Sequence, residues 1–160
     1  MTAGKGTLAE LRPDFELLVG PLFDLSETLL RKHGDFLPHG AVLDNGGQVT
    51  LVAAPPTGEY ATSTEVLPHL HEALRAHARD VSLRAVAVAE SVEVTLEGKK
   101  ATRAIKVLVE HARGLTVAFY MPFEKKLMRG FVMGEMFGVE AQAEVTPWAA
   151  QSTNANPEHA

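Results

Sequence analysis

Residues 84–111 read RAVAVAESVEVTLEGKKATRAIKVLVEH and contain two segments in which valine, leucine or isoleucine recurs at every second position. A period of two is typical of β-strands, because successive side chains point to opposite faces of a sheet. The pattern predicts strands over Leu83–Leu96 and Ala101–His111. These two strands and their neighbours decide the fold class.

The link between these strands predicts their register. If Gly98-Lys99 is a two-residue turn, the apolar faces of the two strands align. The predicted cross-strand pairs are Val86 with His111, Val88 with Val109, and Val92 with Ile105. A third strand, Leu115–Phe123, would follow the loop Ala112-Arg113-Gly114, where Gly114 supplies a left-handed conformation and sets Val109 against Val117 and Val107 against Phe119.

Another hairpin is predicted upstream, where two apolar runs, Ala41–Leu43 and Val49–Val52, flank Asp44-Asn45-Gly46-Gly47. Asn-Gly suits the positive φ angles of a type I′ turn. This is the strongest local signal in the chain.

Two helices complete the pattern. Thr7 and Glu10 have the spacing of a capping box, and leucine and phenylalanine then recur every three or four residues as far as Leu29. The apolar stripe keeps its phase through Pro21, which predicts a kink, and Gly34 is the expected C-cap. A second helix begins at Thr62, Ser63 or Thr64 and runs to about Asp80.

The element order predicts an α+β fold with a five-stranded, mainly antiparallel sheet, in the order α-β-β-α-β-β-β-α, as a single domain over residues 1–146. The last element is a short helix expected after Glu124. Residues 147–160 are small and polar, which predicts a disordered C-terminal tail.

Composition narrows the function classes. The 160 residues carry 15 Lys and Arg against 20 Asp and Glu, a net charge of -5, which disfavours a nucleic-acid partner. The chain contains no cysteine, which excludes disulfides, thiolate nucleophiles and cysteine-based metal sites. No leader pattern and no apolar run of about 18 residues occurs, so we expect a cytoplasmic protein without a membrane partner.

Three histidines, His69, His71 and His77, cluster in PHLHEALRAH (68–77). On a helix His69 and His71 lie about 160° apart, so they cannot hold one ion from the same helix. His77 falls within the apolar stripe and is expected to be a partly buried, hydrogen-bonded histidine, with a role as a ligand residue as the alternative. We therefore predict neither a metal nor a cofactor.

Glu90 is the one chemically costly position. Strand alternation places its carboxylate on the face of Val86, Val88 and Val92, where desolvation is unfavourable unless the group is paired or hydrated. A β-bulge that turns Glu90 outward is the alternative. His111 is more than about 10 Å away in the predicted register, too far for proton transfer between them.

No nucleophile elbow, P-loop or dinucleotide fingerprint occurs. The stretch RGFVMGEMFGVE (129–140) is rich in adaptable apolar side chains, which favours a partner or self-association contact. The candidate contact residues are Phe131, Met133, Met136 and Phe137.

Four segments, FLPHGAVLDNGGQV, RAVAVA, AIKVLVEH and VAFYMPF, resemble a group of small bacterial α+β proteins of uncharacterised activity, over about residues 28–123. In that group a proline-led strand opens a hairpin and the last strand ends near an aromatic-proline step. The element order is also similar to profilin-like and roadblock-type modules, whose sheets often support dimerisation. The resemblance implies a fold and no catalytic residues.

Two functions follow as expectations. The first is a non-catalytic protein-interaction or scaffold module that acts as a homodimer, using the Leu11–Leu29 stripe or the Met128–Phe137 segment. The alternative is a small ligand-binding protein or enzyme with a helix–sheet pocket around Glu90 and His77 or His111. The absence of a catalytic motif favours the first.

Overall fold

The computed structural model describes residues 6–54 and 62–148. In these ranges the chain forms two helices and seven strands, and the fold is α+β with one antiparallel sheet. The elements are α1 (Leu8–His33), β1 (His39–Asp44), β2 (Val49–Val52), α2 (Ser63–Asp80), β3 (Leu83–Thr95), β4 (Ala101–His111), β5 (Thr116–Lys126), β6 (Gly130–Met133) and β7 (Phe137–Glu140). Most of the expected tail, residues 149–160, lies outside the described residues.

The first helix forms as its sequence predicts. The Thr7 hydroxyl accepts the Glu10 N–H and the Glu10 carboxylate accepts the Thr7 N–H, which completes the capping box. Gly34 ends the helix in the left-handed region, at φ 81°. The helix is continuous through Pro21, so the two halves of the stripe are one element. Most of that stripe is buried against the sheet, so it is not a surplus contact surface.

The sheet has seven strands rather than the five expected, because the segment predicted as a helix after Glu124 is extended. Strand β5 continues to Lys126, and β6 and β7 both pair with it, on successive parts of its outer edge. Glycine is unfavourable inside a helix, and this segment has three, at positions 130, 134 and 138. The strand order is β2-β1-β3-β4-β5-β6, with β7 beside β5.

The predicted β4–β5 register is confirmed. Val109 lies opposite Val117, and Gly114 has a φ of 90°. The predicted β3–β4 register is wrong by one residue. Ala87, not Val88, lies opposite Val109, because Thr95 pairs with Ala101 and the loop between them has five residues instead of two. The slip changes which side chains share a face.

The β1–β2 hairpin is confirmed with a different turn. The left-handed residue is Gly47, at φ 87°, and its N–H donates to the Asp44 carbonyl at 3.0 Å. The Asp44 carboxylate accepts the N–H groups of Gly46 and Gln48 at 2.8 and 2.9 Å. The loop is therefore a three-residue turn held by an aspartate, not a two-residue type I′ turn.

A helix packs on each face of the central strands. On the α1-side face, the alanines of β3 and the Val and Ile side chains of β4 pack against α1. On the α2-side face, Val86 and Val88 pack with Leu70 and Leu74 of α2. The small face of Ala85, Ala87 and Ala89 thus admits a helix, as the sequence predicts. Within the described residues neither helix is long and apolar enough to cross a bilayer.

Candidate functional site

Glu90 lies on the α2-side face without a bulge, since β3 and β4 keep one register from Ala85 to Thr95. Its carboxylate is 4.0 Å from the ammonium of Lys106, directly across the strand pair. Lys106 is also 3.6 Å from the carboxylate of Glu144. Burial raises the pKa of Glu90, the Lys106 charge acts to lower it, and the Glu144 charge acts to raise it.

Beyond this charged group, part of the α2-side face has no covering element among the described residues. Helix α2 packs against β1, β2 and β3, and residues near the C-terminus cross the Glu110 end of β4, where Arg75 of α2 bonds the Val145 carbonyl. The uncovered patch lies outside both contacts and extends from the Val94 end of β3 to β5 and β7, and we call it the open face. Its apolar members are partly or largely exposed and belong to neither buried cluster: Val92, Val94, Tyr120, Pro122, Phe137 and Val139. The rings of Tyr120 and Phe137 stack at 5.4 Å.

The predicted contact residues divide between two environments. Phe131 is buried on the α1-side face, where it meets the ring of Phe123 at 5.8 Å, and Met133 packs partly against the same cluster. Met136 is 44% exposed. Phe137 lies on the open face. Met136 and Phe137 therefore have surface available to a partner outside the buried clusters.

A buried glutamate that the sequence analysis did not single out anchors the C-terminal strap, residues 141–148. The Glu110 carboxylate is 1% exposed and accepts the N–H groups of Glu144, Val145 and Thr146, and the Thr146 hydroxyl, at 2.7–2.8 Å. Arg75 of α2 donates to the Val145 carbonyl at 2.8 Å. These bonds satisfy the buried charge and fix the strap against the sheet.

His71 is the histidine whose pKa responds to this group. Burial lowers the pKa of His71, while the charges of Glu144 and Glu110 act to raise it and those of Arg75 and Lys106 act to lower it. Its Nε2 is buried and has no hydrogen-bond partner within the described part of the chain. Neutral imidazole at pH 7 follows from the lowered pKa.

His111 lies on the other face of the sheet, so it cannot share a pocket with Glu90. Its Nδ1 accepts the Arg113 N–H at 3.0 Å, which leaves the proton on Nε2 to bond the Asp14 carboxylate at 2.8 Å. Arg84 donates to the other oxygen of Asp14 at 3.2 Å. The Phe15 ring stacks on the imidazole at 6.0 Å. His111 is a satisfied core histidine that ties β4 to α1.

His77 is partly buried on α2, as its place in the apolar stripe predicts. The ion pairs of the described residues join Glu90 to Lys106 and not to His77. The binding role considered for Glu90, His77 and His111 stays a prediction. Across residues 6–54 and 62–148, no three or more His, Asp or Glu side chains are arranged to hold a metal ion.

A serine–histidine pair also escaped sequence reasoning. The Nδ1–H of His39 donates to the Leu37 carbonyl at 3.1 Å, so Nε2 accepts the Ser26 hydroxyl at 3.2 Å. Burial lowers the pKa of His39, and its bond to Leu37 acts to raise it. Hydrolases activate serine in this way. Ser26 is 0% exposed, however, so no substrate can reach its oxygen, and the pair holds β1 to α1.

The site that emerges is an uncovered sheet surface with a charged group at its border, not a closed pocket. Its parts come from β3, β4, β5 and β7, and the strap borders it. Comparisons of the chain with protein-family models, with curated proteins and with solved structures return no match. The function must therefore be argued from the geometry of this surface alone.

Proposed function

We propose that the protein is a non-catalytic interaction module that self-associates, with a second copy of the chain on the open face. The supporting observation is a set of partly exposed apolar side chains outside both buried clusters, on β3 and on the paired strands β5 and β7, with Ala104 of β4 between them. Apolar surface of this kind gains free energy when another surface removes it from water. The stacked Tyr120–Phe137 pair lies within it and offers an aromatic anchor.

The size of the open face limits the affinity. Four strand positions spaced about 4.8 Å apart, over about five residues of about 3.4 Å each, give roughly 300 Å². A standard interface buries about 800 Å² on each partner. Self-association is therefore expected to be weak, with a dissociation constant on the order of 100 μM.

The charges at the border of the open face favour a second copy. A twofold interface brings together the same patch of two copies, so each patch must carry both a charged group and a group of opposite charge. Lys106 lies between the carboxylates of Glu90 and Glu144. In a twofold pairing, each Lys106 can pair with the equivalent carboxylate of the other copy in place of its own. No positive or negative charge is then left without a partner.

Sedimentation equilibrium over about 5–500 μM protein tests this proposal. The wild-type chain is expected to shift from monomer to dimer across that range. Phe137→Ser removes the ring from the open face and should weaken association about tenfold or more, since a buried aromatic anchor contributes well over 1.4 kcal/mol. Wild-type protein that stays monomeric throughout would remove the proposal.

Leu51→Ser is the matched control. Leu51 is 56% exposed on β2, at the opposite edge of the sheet, so its loss should leave the dissociation constant unchanged. Circular dichroism of both variants separates lost association from lost folding. Equal weakening by the two substitutions would show that association is not specific to the open face.

The alternative function, a ligand pocket around Glu90 and a histidine, has less support. The carboxylate faces Lys106, His111 lies on the other face, and the buried Nε2 of His71 is not open to a ligand. Histidine titration by NMR, with and without zinc, distinguishes the two functions. A metal-sensitive His71 or His77 would favour the alternative.

A further inference from the structure

The tip of the β5–β6 hairpin presents two large apolar side chains to solvent. Leu127 is 92% exposed and Met128 is 97% exposed. They occupy the turn between Lys126 and Gly130, in which the Arg129 N–H donates to the Lys126 carbonyl at 3.2 Å. Neither side chain belongs to a buried cluster, so neither contributes to folding through packing.

The backbone of this turn is unfavourable for its residue type. Met128 has a φ of 66°, and among the described residues it is the one non-glycine with a positive φ. Glycine is the usual residue in that conformation, because a Cβ lies too close to the following carbonyl oxygen, and asparagine or aspartate is tolerated through local hydrogen bonds of its side chain. A strained position filled by an exposed apolar residue is a reason to look for a function of the tip.

Basic residues stand directly behind the apolar pair. Lys125 and Lys126 precede it on β5, Arg129 follows it, and all three are exposed. Glu124 is ion-paired with Lys126 at 3.6 Å, which leaves the hairpin end with a net positive charge. The rest of the chain is acidic, since the whole carries a net charge of -5. The cations are thus concentrated where the apolar side chains project.

We propose that this tip makes a peripheral contact with an anionic lipid surface. Leu127 and Met128 enter the boundary between headgroups and acyl chains, and the three basic residues one or two positions behind them remain at the level of the lipid phosphates. The absence of a spanning segment, from which no membrane partner was expected, does not bear on a contact of this kind.

The shape of the tip favours lipid over a protein partner. It is a convex end of two residues, without the aromatic side chains that are enriched in the hot spots of protein interfaces, among which leucine is under-represented. A bilayer surface needs no matching cavity. The apolar tip and the basic residues next to it follow the same order along the membrane normal as the acyl chains and the lipid phosphates.

Co-sedimentation with vesicles of phosphatidylcholine alone, or with a half share of phosphatidylglycerol, tests the proposal. The wild-type chain is expected to bind the anionic vesicles and not the neutral ones. Leu127→Ser with Met128→Ser should lower the partition coefficient at least about tenfold. Replacing each basic residue by Gln should lower it about fivefold. Salt should weaken the binding of every form.

Met128→Gly separates the lipid contact from folding. Glycine suits the positive φ, so this variant should unfold at a higher temperature than the wild type while binding the vesicles more weakly. Leu51→Ser and Phe137→Ser should bind vesicles as the wild type does, which keeps this result distinct from that of the dimer experiment. The proposal would be overturned if the wild type bound neutral vesicles equally well or bound no vesicles. It would also be overturned if the serine variants changed the oligomeric mass but not vesicle binding.

Discussion

Replacing Glu110 with Gln should detach the C-terminal strap from the sheet. One carboxylate oxygen accepts the N–H and hydroxyl of Thr146, and the other accepts the N–H groups of Glu144 and Val145. A glutamine amide has one acceptor oxygen and an NH₂ that only donates. With the amide oxygen toward Glu144 and Val145, the Thr146 hydroxyl can rotate and accept from the NH₂, and the Thr146 N–H alone faces a donor. In the other orientation two N–H groups of the strap face a donor.

The size of the effect follows from the one bond lost in the better orientation and from the loss of the charge. A hydrogen bond to a charged group contributes about 1.5–3 kcal/mol, and a buried donor left without an acceptor costs about 1–3 kcal/mol. Losing one such bond, and the charge that strengthens the other three, should therefore destabilise the strap by about 2–4 kcal/mol. The strap lies at the end of the described chain, so it should open before the sheet unfolds.

Trp148 makes the release measurable. It is the single tryptophan of the chain and packs against the α2-side cluster, so strap release should shift its fluorescence to the red. Amide exchange at Glu144, Val145 and Thr146 should accelerate by about 30-fold or more, since about 1.4 kcal/mol corresponds to tenfold.

The exposed Glu124→Gln is the control for this experiment and should change stability by less than about 0.5 kcal/mol. Far-UV circular dichroism should stay close to that of the wild type in both variants. Unchanged exchange rates at the three strap amides in the Glu110 variant would refute the role given to that carboxylate.

Three further outcomes are expected. Burial raises the pKa of Glu90, so the folded state favours the protonated carboxyl. The stability that this protonated group contributes is full at pH values below the usual carboxyl pKa and is lost as the pH rises through the raised pKa. Glu90→Gln should thus melt higher than the wild type at about pH 7.5 and equally at about pH 3.5 in calorimetry, and a wild-type advantage at neutral pH would contradict this. Gly40→Ala would place a Cβ 2.6 Å from a β3 carbonyl oxygen and should lower the free energy of unfolding, measured in urea, by about 1–3 kcal/mol. The Cβ of Gly20→Ala would meet nothing within 4 Å, so this change should stabilise α1 by about 0.5–1 kcal/mol. Asp14→Ala removes the acceptor of the buried His111 Nε2–H and should cost about 1–3 kcal/mol, and a neutral result in the same assay would argue against the Nε2–H tautomer.

Local signals predicted the helices and the upstream hairpin, because the residues that decide them are neighbours in sequence. The Thr7–Glu10 capping box, Gly34 and Gly114 each act within a few residues, and each has its expected role. The strands β6 and β7 were missed because three glycines and two methionines give no clear period, and pairing with β5 decides their conformation.

The β3–β4 register could not be fixed from the sequence, because both faces are buried over residues 85–89 of β3 and 107–111 of β4. The valines of β3 meet α2 and its alanines meet α1, so a shift of one residue still places apolar groups inside. The predicted register therefore paired Val86 with His111, whereas its partner in the structure is Glu110. The signal that could have shown the anchor is the acidic residue that directly follows the apolar run 107–109.

Glu90 was identified from alternation alone, because a carboxylate among valines is unusual in any register. Its partners were not, since Lys106 and Glu144 come from β4 and from the strap, and only the folded chain brings them together. The open face could not be predicted from the sequence either. Its exposure depends on where α2 and the strap end, and no local sequence pattern predicts those end points.

The outer margin of the sheet bears on aggregation. Three residues, 134–136, lie between β6 and β7 where β5 has two, and the Gly134 N–H bonds the Pro122 carbonyl at 2.6 Å. The margin is thereby broken into two four-residue pieces whose registers differ by one. An incoming strand could not form a continuous ladder along it, so fibril growth from this side of the molecule is hindered.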